Sequence, residues 1–235
     1  MKSQFPFEHP EIAAVLTRLH EASRRDTWRI IPRLPIYLWA SLRNRLTSTP
    51  GQHPLFREIY SAITEERGAL LYLTARAIQA RHVVEFGSSF GISTIYLATA
   101  VGDNIGAGSQ GSARVIGSEM EASKCAAATK NLADAGLSGI ARILKGDALK
   151  TLATVDGPID LVFLDGRKDL YLAVLKLLQP KLRPGAVVLA DNIRSFEKET
   201  SSYVDYVQSG KNGFVSSTLK ISDWMEFSVF EPTDR

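Results

Sequence analysis

The sequence predicts an α/β fold: a mostly parallel seven-stranded sheet with helices on both faces, an antiparallel C-terminal hairpin at one edge, and an N-terminal helical arm. Three observations predict it. Short apolar runs alternate with helical segments between residues 82 and 190, and strands that are apolar on both sides belong in a parallel sheet covered on both faces. Two of those runs, IDLVFLD and GAVVLADN, stop abruptly on Asp165 and on Asp191-Asn192. Near the end, FVSSTLKI and WMEFSVFE are strand-like runs with the short connection Ile221-Ser222-Asp223, which reads as a hairpin.

The elements follow in order. Ile12, Val15, Leu16 and Leu19 repeat at helical spacing, and a Trp- and Leu-rich stretch with Pro32 and Pro35 continues the arm. That arm is expected to pack on the main domain or on a second subunit, which makes a homodimer plausible. TSTPGQHP (47–54) is loop chemistry and divides an arm, 1–53, from a main domain, 54–235. Phe56 to Ala80 reads as a helix ending near Gln79, HVVEF as the first strand, and GSSFGISTIYLATAV as a glycine turn and helix. GDNIGAGSQGSAR reads as a flexible loop. RVIGSEM is a strand, ASKCAAATKNLADAG a helix ending on Gly136, ARILKGDA a strand end and turn, and DLYLAVLKLLQPKL a helix.

Composition narrows the function. Of 235 residues, 45% are hydrophobic and 23% charged, which is ordinary for a soluble globular chain. Twenty-eight basic residues against 25 acidic ones is too even a mix to indicate nucleic acid. Cys125 alone allows no internal disulfide and suits a reducing compartment. Ile30 to Ala40 is broken by Pro32, Arg33 and Pro35 and is too short to span a membrane. The first residues carry no apolar signal core. A cytoplasmic protein acting on a small molecule, without nucleic acid or membrane partners, is expected.

The strand ends carry the chemistry. In an open α/β sheet, ligands bind at the carboxyl ends of the strands, and charged groups there are costly unless used. Asp165, Asp191 and Asn192, with no His or Cys beside them, form an oxygen-only set suited to Mg²⁺, Mn²⁺ or Ca²⁺. Glu85-Phe86-Gly87-Ser88-Ser89-Phe90-Gly91 is a glycine turn that lets backbone approach a ligand. It lacks the third glycine of a dinucleotide pattern. Glu119 can accept hydrogen bonds from a ribose diol. Asp147 can accept from an adenine amino group or cap the next helix. Read together, these ends describe a nucleoside pocket.

These residues resemble a known family. VVEFGSSFGIS, GSEME, GDA, FLDGRKDLY, LADN and SSYVDYV are similar to motifs of class I S-adenosylmethionine-dependent O-methyltransferases, and within them of the cation-dependent, catechol O-methyltransferase-like group. The resemblance covers roughly residues 55 to 230 and implies a Rossmann-like sheet, S-adenosylmethionine as methyl donor and a divalent cation, Mg²⁺ above all. It implies that Glu85, Gly87, Ser88 and Ser93 hold the methionine part of the donor, and that Glu119 holds the ribose. Asp147 and Asp165 would also border the donor. Asp165, Asp191 and Asn192 would hold the cation, with Asn192 and Asp205 beside the substrate, and Lys168 would be the general base. The substrate implied is a phenol or vicinal diol. A phenol has a pKa of about 10, so chelation to a cation that lowers it makes the nucleophile.

The chain departs from the family's pattern at Gly166 and Arg167, after the first metal acid, and at Asp205, which stands for a longer glutamate. Three other readings stay open: a metal-independent methyltransferase, an NAD-linked oxidoreductase, and a binding module that keeps the donor pocket without catalysis. Asp165 and Asp191 could also simply pair with Lys168 and Arg167, or cap helices.

Overall fold

The computed structural model describes residues 9–30, 63–106 and 114–232. Its strands are β1 (His82–Phe86), β2 (Arg114–Glu119), β3 (Ala141–Lys145), β4 (Ile159–Leu164), β5 (Leu182–Ala190), β6 (Phe214–Leu219) and β7 (Met225–Phe230). They form one sheet in the order β3-β2-β1-β4-β5-β7-β6. The first five run parallel, while β7 is antiparallel to both β5 and β6. The sheet is the Rossmann-like one expected. Its order reverses between β1 and β4, and that switch point places a ligand crevice at their carboxyl ends.

The absence of polar alternation in β1, β4 and β5 has a direct cause: both of their faces are buried. Val83, Leu161, Phe163, Val187 and Leu189 join one apolar cluster. Val84, Phe86, Val162, Leu164, Val188 and Ala190 join the other. The first cluster is covered by α1 (Pro10–Ile30), α2 (Glu65–Ala77), α3 (Ile92–Ile105) and α4 (Ala122–Asp134). The second is covered by α5 (Ala148–Thr151), α6 (Tyr171–Leu178) and α7 (Glu197–Gln208).

The stripe Ile12, Val15, Leu16 and Leu19 on α1 is buried in the first cluster. Arg18 reaches Asn131 and Asp134 of α4, both at 3.1 Å, and His20 bonds the Tyr96 hydroxyl at 3.2 Å. The described part of the arm therefore shares the sheet's core. Residues 31–53, and the division expected at 47–54, lie outside the described residues.

Two boundaries differ from expectation. α2 starts at Glu65 because Thr64 caps it, its hydroxyl accepting from the Arg67 N–H at 3.3 Å; residues 56–62 of the expected helix lie outside the described residues. The expected loop from Gly102 begins later, because α3 continues to Ile105. Ile105 packs on the core, and Asn104 Nδ2 donates to the carbonyls of Ala75 and Ala80 at 3.0 and 2.8 Å, which pins the last turn. Residues 107–113 of that loop lie outside the described residues. Among the described residues no helix is long and apolar enough to cross a membrane.

Candidate functional site

β1 leaves the sheet through Gly87, whose φ of +93° is open to glycine. A Cβ there would lie 2.5 Å from Gly166 backbone atoms. The turn is thus laid directly against the residue after Asp165. Behind it Glu85 is fully buried and accepts from the hydroxyls of Ser88, at 2.7 Å, and Thr94. Burial holds its carboxyl above the usual range; Ser93, Thr94 and Ser88 pull it back, and the charge of Asp165 adds to the rise. Its other oxygen, Oε1, is buried with no hydrogen-bond partner in good geometry among the described residues, although the Ser93 hydroxyl lies near the carboxyl. A buried carboxylate oxygen left over in this way fits an ammonium or hydroxyl donor on a ligand. The pocket at the turn is lined by Ile63, Gly87, Ser88, Ser93 and Asp165, among others.

Glu119 closes the neighbouring side. One oxygen accepts from the Ser89 N–H at 2.8 Å and the other from the Glu121 N–H at 2.9 Å. The carboxylate is held beside the turn with lone pairs left for a diol. Asp147 caps α5 through the Leu149 N–H at 3.0 Å, so capping is the contact it makes.

The acidic rim lies at the ends of β4 and β5. Asp165 N–H donates to the Phe86 carbonyl at 2.8 Å, and Asp191 N–H to the Leu164 carbonyl at 2.9 Å, so both acids extend the parallel ladder. Asp191 is buried, 1% exposed, and its carboxyl is pushed up to about 7, first by burial and then by the charge of Asp165. Arg67, the Asn192 N–H and Lys168 oppose that rise. Lys168 Nζ donates to Asp165 Oδ1 and to the Tyr171 hydroxyl, each at 2.8 Å, and that hydroxyl donates to the Asp191 carbonyl at 3.1 Å. Asn192 has φ +61°, and its N–H bonds Asp191 Oδ1 at 2.8 Å.

Asp165, Asp191 and Asn192 are hard oxygen donors, and two mutually repelling carboxylates suit a hard dication. Among the described residues no set of three or more His, Cys, Asp or Glu side chains is placed to hold a metal, so the third donor would be the Asn192 amide. Each acid also has a resident cation. Lys168 is on Asp165, and the buried Arg67 guanidinium is 2.8 Å from Asp191 Oδ2. The expected alternative partner Arg167 instead pairs with exposed Asp169.

Asp205 is exposed on α7, whose inward residues are Thr200, Tyr203 and Val207. Helical spacing turns position 205 outward when 203 and 207 face the core. Two residues were missed. Arg67 reaches the rim from α2, and Asp223 reaches it from the β6–β7 turn, where it accepts from Asn192 Nδ2 at 3.3 Å. No local motif marks either one.

Comparisons with known proteins find methyltransferases. Residues 84–193 match the model of a methyltransferase domain. The chain is 40% identical over 133 residues to a catechol O-methyltransferase of Mycobacterium tuberculosis, covering 56% of this chain and 57% of the relative. It is 31% identical over 136 residues to a catechol O-methyltransferase of Niastella koreensis, covering 56% and 58%. The matches thus span somewhat over half the length of these curated relatives. The solved O-methyltransferase TomG of Streptomyces achromogenes, in complex with S-adenosylmethionine, superposes with a TM-score of 0.66 at 26% identity, over 73% of this chain and 82% of that one.

Proposed function

We propose that the chain is a class I S-adenosylmethionine-dependent methyltransferase of the catechol O-methyltransferase-like type, and that it transfers a methyl group from S-adenosylmethionine to a hydroxyl of a small phenol or vicinal diol. The observation that carries the reading is the convergence at one rim of the Glu85 cradle, the Asp165–Asp191–Asn192 oxygens and the Lys168 amine.

The donor brings an electrophilic methyl group on a sulfonium, and a divalent cation held by Asp165, Asp191 and Asn192 would supply Lewis acidity to a chelated hydroxyl. The chain's own residues do the rest. Glu85, through Oε1, and the Gly87 turn fix the donor's amino acid end. Glu119 accepts from the ribose. Lys168 Nζ, held by Asp165 and the Tyr171 hydroxyl, is the group placed to receive the substrate's proton. Phe196, 41% exposed with Lys168 Nζ 5.8 Å from its ring centre, gives an aromatic substrate a wall. Holding donor and acceptor in attack geometry contributes roughly 7–11 kcal/mol towards the barrier.

A methyl-transfer screen of phenols and vicinal diols, with Mg²⁺ and with excess EDTA, tests the proposal. Turnover of a vicinal diol that stops with EDTA supports it. A second reading, metal-independent transfer, is favoured by one contact: Arg67 already neutralises Asp191. Full turnover in EDTA selects that reading, and no methyl transfer under either condition rejects both.

A further inference from the structure

The β6–β7 turn is stitched to the loop that follows β5. Asp223 Oδ1 accepts from the Ser195 N–H at 3.1 Å and its carbonyl accepts from Arg194 N–H at 3.2 Å, while the Trp224 carbonyl accepts from Ile193 N–H at 3.1 Å. Three non-glycine residues at this junction, Asn192, Ser222 and Trp224, have positive φ of 61°, 50° and 58°. Such conformations persist where surrounding bonds over-determine them, and they cluster at functional sites. The remaining Asp223 oxygen, Oδ2, takes the Asn192 amide at 3.3 Å.

We propose that Asp223 is a positioning residue for Asn192, turning its amide so that the carbonyl oxygen rather than the NH2 faces the rim. The inference rests on the cation reading above. A carboxylate only accepts hydrogen bonds, so the NH2 of Asn192 must be the end that faces it. The amide is planar, which sends the carbonyl oxygen to the opposite side. An Asn turned the other way would offer a cation two N–H donors instead of a ligand. The hairpin tip thereby belongs to the site, although the sequence separates it from Asn192 by 31 positions.

The near-isosteric Asp223→Asn separates orientation from simple support of the turn. The new amide has one oxygen for two donors, so either Asn192 or Ser195 meets an NH2. Mn²⁺ binding to the full chain is read by electron paramagnetic resonance, S-adenosylhomocysteine binding by calorimetry, and folding by circular dichroism. Asp223→Asn should weaken Mn²⁺ by about 10- to 100-fold, the usual effect of losing a residue that orients a ligand, with S-adenosylhomocysteine affinity unchanged. The exchange Asn192→Asp with Asp223→Asn puts an oxygen at the rim whichever way side chain 192 turns, and should restore Mn²⁺ binding. It also carries the test alone if the single variant does not fold. Unchanged Mn²⁺ affinity both in Asp223→Asn and in a folded Asp223→Ala, where no acceptor faces the Asn192 NH2, overturns the proposal, as does a folded exchange variant that fails to bind. A parent chain that binds no Mn²⁺ rejects the cation reading itself, and this inference with it.

Discussion

Arg67 and Asp191 form a buried ion pair, Nη1 to Oδ2 at 2.8 Å, with side chains 7% and 1% exposed. Among the described residues the buried guanidinium Nε has no partner, so the pair is incompletely satisfied there. Removing one member of such a pair leaves an uncompensated buried charge, at a cost of about 3–5 kcal/mol. Arg67→Met should therefore lower the melting temperature by roughly 6–20 °C, since 1 kcal/mol is worth about 2–4 °C in a chain of this size. Mg²⁺ would substitute for the missing charge, so the variant should gain more from Mg²⁺ in a melting experiment than the parent does. Equal gains in both would detach Arg67 from cation binding.

Asp191 also predicts a pH dependence. Its carboxyl is raised from 3.8 to about 7 in the folded chain, mainly by burial. The folded state therefore holds that proton more tightly than the unfolded one. The resulting stabilisation is full below about pH 4 and is lost as the pH rises through about 7. Without divalent cation, the parent should lose more stability between pH 5 and pH 8 than Asp191→Asn does. Melting curves in EDTA at the two values give this difference, and parallel losses would remove Asp191 as its source.

Gly166 departs from the family's pattern, and Phe86 explains it. A Cβ on Gly166 would lie 2.5 Å from the Phe86 ring, and Phe86 is 7% exposed, so the ring has little room to yield. Overpacking of this kind costs about 1–3 kcal/mol. Gly166→Ala should lower the melting temperature by roughly 2–12 °C, and Phe86→Leu should recover part of that loss. A double-mutant cycle with no coupling between the two sites would contradict the contact.

What the sequence made legible follows from how far apart the interacting residues are. β1, β4 and β5 could be read because being buried on both faces makes each an unbroken apolar run, and their ends announce Glu85, Asp165, Asp191 and Asn192. Lys168 lies three positions after Asp165, across a short loop, so its contact is local. Arg67 meets Asp191 across 124 positions, through the packing of α2 on the sheet. Asp223 meets Asn192 only because β7 pairs with β5. No local pattern encodes either contact. Asp205 is named by a local motif, and the helical period of α7 sets it on that helix's exposed side, opposite Tyr203 and Val207.

Glu85 should show binding and stability moving in opposite directions. Its carboxylate is fully buried, and desolvation raises its pKa. Glu85→Gln removes that buried charge, so the ligand-free chain should melt no lower than the parent. The same change replaces one carboxylate oxygen with an NH2 and removes a charge-assisted hydrogen bond worth about 1.5–3 kcal/mol. S-adenosylmethionine affinity should then fall by roughly 10- to 150-fold in calorimetry. Unchanged affinity would take Glu85 out of the donor site.

Lys168 is where the proton should go. Its side chain is 11% exposed and its amine is bonded to Asp165 and Tyr171, so replacing it leaves the donor cradle in place. Lys168→Met should reduce kcat by about 10²- to 10⁴-fold, the usual contribution of general base catalysis, with S-adenosylhomocysteine binding intact. Lys168→Arg keeps the charge on Asp165 but cannot give up a proton at working pH, so it should be nearly as inactive. Comparing the two variants separates charge from proton transfer. If arginine restores turnover, the side chain acts as a counter-charge to Asp165, and the hydroxyl must lose its proton to solvent.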